Sequence, residues 1–240
     1  MSVPIQPTKP RPAWKRFARE FLLVWRLGFA RLLSRWWMIP LIVGVGLALV
    51  IGDTGDWDNR LLQQIRQPDN AALTQAARSL SFWGDVIWAV LLALVLFVVG
   101  VSFGCPRWRQ IAWACMLSVL ASTVILNAFR LTLGRARPNN PVPDGFYGPH
   151  LSHAYHSFPS GHATSAFAPA AAAAVAAPII GVPCLIFAGG VSWSRLQLNQ
   201  HHPLDVMTGA ALGTLIGVCF GSAVQGARFR LRRRKRNLAR

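Results

Sequence analysis

The sequence is short of negative charge. Of its 240 residues only 8 are Asp or Glu against 25 Lys or Arg, and charged residues of both signs reach just 14%. A soluble domain of this length carries about a quarter charged residues, so an ordinary water-soluble globule is a poor reading. Cysteine is scarce too. Cys105, Cys115, Cys184 and Cys219 form no C-x-x-C pair, and three of them sit inside apolar runs. That pattern speaks for packed core thiols rather than a disulfide framework or a cysteine metal centre.

What the chain does have is apolar residues, 53% of the total, gathered into runs. Six segments stand out: Met38–Gly52, Asp85–Phe103, Gln110–Phe129, His162–Ala177, Pro183–Trp193 and Val206–Val224. They imply an all-α fold, an integral membrane bundle of six transmembrane helices. The first is short for a span unless Trp36 and Trp37 are counted with it. The polar stretch Asp53–Ser81 is expected to form a short helical hairpin outside the bilayer core. Arg130–Pro159, rich in proline, is expected to be a loop long enough to be functional. Pro178 is expected to end the fourth segment and Pro183 to begin the fifth.

Met1–Pro12 is rich in proline and polar residues and is expected to be disordered. Ala13–Trp37 interleaves Lys15, Arg16, Arg19, Arg26, Arg31 and Arg35 with large apolar residues. It reads as an N-terminal interfacial helix on the membrane surface, the alternative being an extension packed on the protein's own base. A cleaved leader is not expected, since the region before the apolar run is too long and no small-x-small site follows it. Three regions result: a basic arm with its interfacial helix over 1–37, a membrane domain over 38–225 and a basic tail over 226–240.

Six spans would put the arm, the turn holding Arg107 and Arg109, and the tail from Arg228 to Arg240 on one side. Glu20 is the only anion among them, so the whole formal excess of +17 falls on that face. The other face carries as many aspartates as arginines. The positive-inside rule makes the basic face cytoplasmic. Its expected partner is anionic lipid rather than nucleic acid. In the last segment Gly209, Gly213, Gly217 and Gly221 recur every fourth residue. This stripe fits close packing against a neighbouring helix of the chain, with a homodimer seam as the alternative.

Three polar pieces then fall together on the opposite, non-cytoplasmic side: Arg130–Pro138 (R-L-T-L-G-R-A-R-P), Phe158–Ala163 (F-P-S-G-H-A) and Ser194–Asp205 (S-R-L-Q-L-N-Q-H-H-P-L-D). Arg130, Arg137 and Arg195 are permanent cations suited to bidentate binding of phosphate oxygens, though any one alone reads as a membrane-edge anchor. Ser160 reads as the N-cap of a helix whose free backbone N–H groups suit an anion, and Gly161 allows close backbone approach. His162 and His201 can act as acid, base or nucleophile near neutral pH. Asp205, four residues after His201, is placed to hold one imidazole nitrogen and leave the other free to attack. His202 has no evident partner and reads as structural. His150, His153 and His156 fit no common zinc spacing, so no metal site is expected.

The three pieces together resemble the signature of the type 2 phosphatidic acid phosphatase superfamily, which includes vanadium haloperoxidases and glucose-6-phosphatase. The family pattern runs K-x6-R-P, then P-S-G-H, then S-R-x5-H-x3-D. Pro159–His162, Ser194, Arg195, His201 and Asp205 match it, and Arg130 stands where the family has lysine. The resemblance covers about residues 85–224. It implies a mechanism without metal or other cofactor in which His201 attacks phosphorus, Asp205 orients His201, and His162 protonates the leaving oxygen and later activates water. Arg130, Arg137, Ser160, Gly161 and Arg195 would hold the phosphate oxygens, with Arg135 a possible helper. The implied activity is hydrolysis of a lipid phosphate at the outer face of a bacterial inner membrane. Undecaprenyl diphosphate, phosphatidylglycerophosphate, phosphatidic acid and lipid A phosphates are the substrates the family offers. Phosphotransfer through the same intermediate, or non-catalytic lipid binding or transport, are the alternatives.

Overall fold

The structure is a computed structural model that describes residues 12–34 and 55–238. Eight α-helices are described: α1 Ala13–Ser34, α2 Gly55–Ile65, α3 Ala71–Trp83, α4 Val86–Ser102, α5 Pro106–Leu133, α6 Gly161–Ala176, α7 Pro178–Gln197 and α8 Pro203–Leu238. A short 3-10 turn, His153–Tyr155, interrupts the loop between α5 and α6. No strand is present among the described residues, in keeping with the all-α expectation.

The span count differs from expectation. Three helices are each long and apolar enough to cross a membrane: α5, α7 and the Pro203–Gly226 part of α8. Helices α3 and α4, bent by 52° at their junction, make a fourth if taken as one span. The expected span Met38–Gly52 lies outside the described residues. Helix α6 has 16 residues, fewer than the roughly 20 that cross a bilayer alone.

Element ends also move. Helix α5 runs on to Leu133, so Arg130 lies on its last turn rather than at the start of the loop. Gly134, in the left-handed conformation at φ 56°, stops it and donates its N–H to the Arg130 carbonyl. Helix α7 begins at Pro178, where a proline's missing N–H costs no hydrogen bond, and Pro183 lies inside it. The polar stretch after residue 53 does form two helices, but α3 leads at once into α4. Asp85 caps α4 by accepting a hydrogen bond from the Ile87 N–H at 3.1 Å.

Helices α6 and α8 form the centre of the bundle. The glycine stripe faces α6: a methyl group at Gly209, Gly213, Gly217 or Gly221 would overlap the carbonyl oxygens of Ser160, Thr164, Ala168 and Ala172 in turn. The stripe is therefore occupied within the chain by α6, the first of its two expected readings. The alanines of α6 do the reciprocal job, and Ala168, Ala171 and Ala172 are buried. This close approach fixes the N-terminus of α6 beside that of α8, where the Ser160 N–H donates to the Asp205 carbonyl at 2.9 Å.

Helix α1 packs on the bundle through Glu20, Val24, Gly28 and Leu32. Phe21 meets Trp113 edge-on at 5.1 Å and Phe29 meets Phe220 at 5.5 Å. Glu20 accepts two hydrogen bonds from buried Arg109, at 2.8 and 2.6 Å. Helix α1 is thus seated on the protein's own base, as the alternative reading of Ala13–Trp37 expects. Trp36 and Trp37 lie outside the described residues. The opposite face of α1 still exposes Trp14, Leu22, Trp25 and Leu33.

Candidate active site

The N-termini of α6 and α8 bring the three polar pieces together at the end of the bundle opposite α1. Asp205 is fully buried in the first turn of α8 and is saturated with donors. The Arg135 Nη1 donates to Oδ1 at 2.7 Å, the Ser157 Oγ to Oδ2 at 2.6 Å, and the His202 N–H to Oδ2 at 2.9 Å. His201, equally buried, has its Nδ1 3.6 Å from Oδ2, beyond a good hydrogen bond. Ser157 Oγ lies between them, 3.4 Å from Nδ1. The pair expected from spacing is therefore a trio. Burial pushes the His201 imidazole down to about 4; Asp205 opposes this and Arg137 and Arg195 reinforce it. His201 is thus a neutral imidazole across the neutral pH range.

Around it sit the expected cations. Arg130, on the last turn of α5, lies flat on Gly161, and its Nε donates to the Pro159 carbonyl at 3.2 Å. A Cβ at position 161 would fall 2.6 Å from Arg130 Nη2, so any larger residue there would push the guanidinium aside. Arg137 reaches from the loop, donating through Nε to the His153 carbonyl at 3.1 Å and through Nη1 to Gln200 Oε1 at 3.0 Å. Burial pulls its pKa below the ordinary value. Arg195, on the last turn of α7, donates to Ser81 Oγ. Arg130, Arg137 and Arg195 are close enough to act on one another electrostatically.

Ser160 has the backbone of an N-cap, but its side chain makes no capping hydrogen bond. Its Oγ is buried and unpartnered, as is Arg195 Nε. Orphaned buried donors beside a cluster of guanidiniums suit an anion that takes up their hydrogen bonds. His162, the second residue of α6 and partly open to solvent, faces Asp85 across 3.8 Å between Nε2 and Oδ2.

Two expectations change here. Arg135 is no phosphate ligand: it is buried and spent on Asp205, on Asp58 Oδ2 at 2.7 Å and on Asp144 Oδ2 at 3.4 Å. Burial works against its charge, but the surrounding carboxylates outweigh that and raise its pKa. His202 is held by carboxylates on two sides, Asp144 at 3.4 Å and Asp205 at 3.5 Å. The loop histidines are turned to structural use: His156 Nε2 pairs with the His150 carbonyl at 2.8 Å, and His150 stacks on Tyr155.

Several site neighbours escaped the sequence reading. Ser157 sits just ahead of the F-P-S-G-H piece, where a hydroxyl beside a motif is a weak but visible signal. Asp58 comes from α2, far along the chain; it also accepts the Leu204 N–H at 2.9 Å and so caps α8. Phe82, Trp83 and Trp88 form an exposed aromatic cluster at the α3–α4 bend, with the two tryptophan rings 4.4 Å apart. Such clusters favour the level of a membrane–water interface. Phe82 and Trp88 line a cavity of about 530 Å³ that His162 also lines.

This arrangement agrees with what the chain is similar to. The PAP2 superfamily matches residues 111–228. A lipid A 1-phosphatase of Rhizobium etli is 28% identical over 157 residues, 60% of this chain and 68% of that protein. A decaprenylphosphoryl-5-phosphoribose phosphatase of Mycobacterium tuberculosis is 30% identical over 170 residues, covering 69% of this chain and 88% of the relative. The fold is that of a transmembrane PAP2 type phosphatidylglycerolphosphate phosphatase from Bacillus subtilis, with a TM-score of 0.58, 18% identity, and coverage of 85% of this chain and 96% of that one. The buried His201–Ser157–Asp205 trio, the guanidinium cluster and this degree of identity lead to one conclusion: the chain belongs to the PAP2 superfamily.

Proposed function

We propose that this protein is a membrane phosphatase that hydrolyses a phosphate monoester or diphosphate on a lipid through a phosphohistidine formed on His201, without a metal ion. The observation that carries the reading is the neutral, buried His201 within electrostatic reach of Arg137 and Arg195, which themselves act on Arg130, with an apolar-mouthed cavity opening at His162. Three guanidiniums supply the charge that a divalent ion would otherwise supply to a phosphoryl group. As the His201 nitrogen bonds to phosphorus and the P–O bond to the lipid breaks, His162 gives its proton to the departing oxygen. In the second half a water oxygen bonds to phosphorus, His162 takes that water's proton, and the N–P bond breaks to release phosphate and free His201. Arg130, Arg137, Arg195, Ser160 and the Gly161 N–H hold the non-reacting oxygens.

Phe82, Ile87, Trp88 and Leu198 line the cavity beside His162, the proton donor. The leaving side of the substrate is therefore the lipid side. Lipid A phosphates, undecaprenyl diphosphate, phosphatidylglycerophosphate and phosphatidic acid all meet that requirement. Phosphate release by the purified protein from a panel of these lipids, with EDTA and with vanadate, tests the reading. Release is expected to persist in EDTA and to fall with vanadate, which takes the trigonal-bipyramidal shape of the transferring phosphoryl group. Loss of release on chelation, restored by a divalent ion, would refute it. Phosphate appearing on an added alcohol instead of in solution would make the protein a phosphotransferase.

The site faces the periplasm in this reading, with the basic α1 and tail against anionic lipid at the cytoplasmic face of a bacterial inner membrane. Arg107 and Arg109 lie at the α1 end of the bundle and the site at the other, as the charge split requires. Reporters fused after Arg109 and after Arg240 are expected to behave as cytoplasmic, and those within 139–156 as exported. A cytoplasmic signal from that loop would reverse the orientation.

A further inference from the structure

We infer that Asp85 is the positioning residue for His162, a second carboxylate–imidazole pair separate from the His201–Asp205 pair. This rests on the reading of His162 as proton donor to the leaving group. Four features point to it. Asp85 Oδ2 lies 3.8 Å from His162 Nε2, within ion-pair range and longer than a hydrogen bond. Catalytic hydrogen bonds that are long in the resting protein commonly tighten around substrate. Both side chains line the same cavity, at the mouth through which the leaving group departs. Asp85 Oδ1 is tied to the Ile87 N–H, which leaves Oδ2 directed at the imidazole.

The fourth feature is the charge around His162. Burial weighs most against an imidazolium there, Arg195 of α7, Arg130 of α5 and Arg137 of the loop add to it, and Asp85 acts for it. Arg78 of α3 lines the same cavity and adds another cation. His201 and Asp205 at the start of α8 complete the surroundings, but Asp205 is already neutralised by Arg135. A proton donor ringed by guanidiniums needs a carboxylate to hold its proton until the P–O bond breaks. Asp205 cannot serve both histidines from its buried place, and Asp85 enters from a different helix on the open side.

The same residue has a simpler role as the cap of α4, and the test separates the two. Asn and Ser are good N-caps, so Asp85→Asn and Asp85→Ser keep the helix start and remove only the charge. The full-length protein is purified in detergent and assayed on phosphatidic acid, whose leaving alkoxide needs a proton, and on p-nitrophenyl phosphate, whose leaving group does not. Both variants are expected to lose about 10- to 100-fold in kcat on phosphatidic acid with KM nearly unchanged, and about threefold or less on p-nitrophenyl phosphate. The basic limb of the phosphatidic acid pH profile is expected to move down by about 1 unit, because the imidazolium loses its stabilising carboxylate. Asp85→Glu is expected to recover part of the rate and of the limb.

Three results decide against the inference. If Asp85→Asn and Asp85→Ser keep the wild-type phosphatidic acid rate and pH profile while His162→Ala loses turnover, Asp85 is a helix cap only. An equal loss on both substrates with an unmoved pH limb means the same, a structural role. If His162→Ala itself keeps phosphatidic acid turnover, the role given to His162 falls first and that of Asp85 falls with it.

Discussion

In His201→Ala, phosphate release from every lipid substrate is expected to fall by at least about 10,000-fold, the scale seen when a nucleophile is removed from a group that acts as a unit. No covalent phosphoenzyme should form from a phosphate-labelled substrate. The reason is geometric. His201 is 1% exposed, lies beside Ser157 and Asp205, and is within electrostatic reach of Arg137 and Arg195. In His162→Ala, by contrast, turnover of lipid phosphates is lost but phosphoenzyme can still accumulate from a good leaving group, which needs little protonation. The pH dependence follows from the same burial. In the proposed mechanism the free imidazole of His201 is the reactive form, and burial pushes its pKa down to about 4. The acid limb of kcat/KM is therefore expected near pH 4, with the rate falling as pH drops through that value and His201 gains a proton. An exposed histidine would give a limb near 6.5. An acid limb at 6.5, or labelling that survives in His201→Ala, would reassign the nucleophile.

Arg135→Ala is expected to be the most destabilising single change near the site. It leaves Asp205 and Asp58, both essentially excluded from solvent, without the guanidinium that joins them. Removing one partner of a buried ion pair costs about 3–5 kcal/mol, mostly because the remaining charges are stranded. Here two carboxylates are stranded at once. Thermal unfolding in detergent should show a lower melting temperature, and phosphate release should fall with it as Asp205 loses its fixed position. Arg135→Lys keeps the charge but cannot fork to both carboxylates, so it should fall between. An unchanged melting temperature in Arg135→Ala would show that the buried network contributes little. Unchanged stability with a raised KM would instead return Arg135 to the phosphate ligands from which the geometry removes it.

Much of the site was legible in the sequence because its residues sit at fixed places on helices. Ser160 and Gly161 start α6, Pro203 starts α8, and the i to i+4 spacing of His201 and Asp205 puts them one turn apart at the start of α8. Arg195 and Arg130 each fall on the last turn of a helix. Such positions follow from local rules, so the three motifs and the charge asymmetry could be read without coordinates. The glycine stripe of α8 was also visible, and intrachain packing was one of its two stated readings.

What tertiary structure alone decided depends on contacts between residues distant in the chain. No local pattern says that Arg135 turns inward to Asp58 and Asp205 rather than outward to phosphate; a cation in an arginine-rich loop looks the same either way. Nor does spacing show that Ser157 bridges His201 and Asp205, since those contacts join residues 44 and 48 positions apart. The occupant of the glycine stripe is likewise a matter of which helix arrives, and α6 arrives because its alanines let two backbones touch. Asp85 meets His162 only because α3 and α4 bend by 52° beside the start of α6. The sequence determined which chemistry was possible, through residue types and their spacing along helices. The tertiary structure decided which charges are buried together and which remain open to a substrate, because burial and pairing are properties of packed helices and not of any one segment.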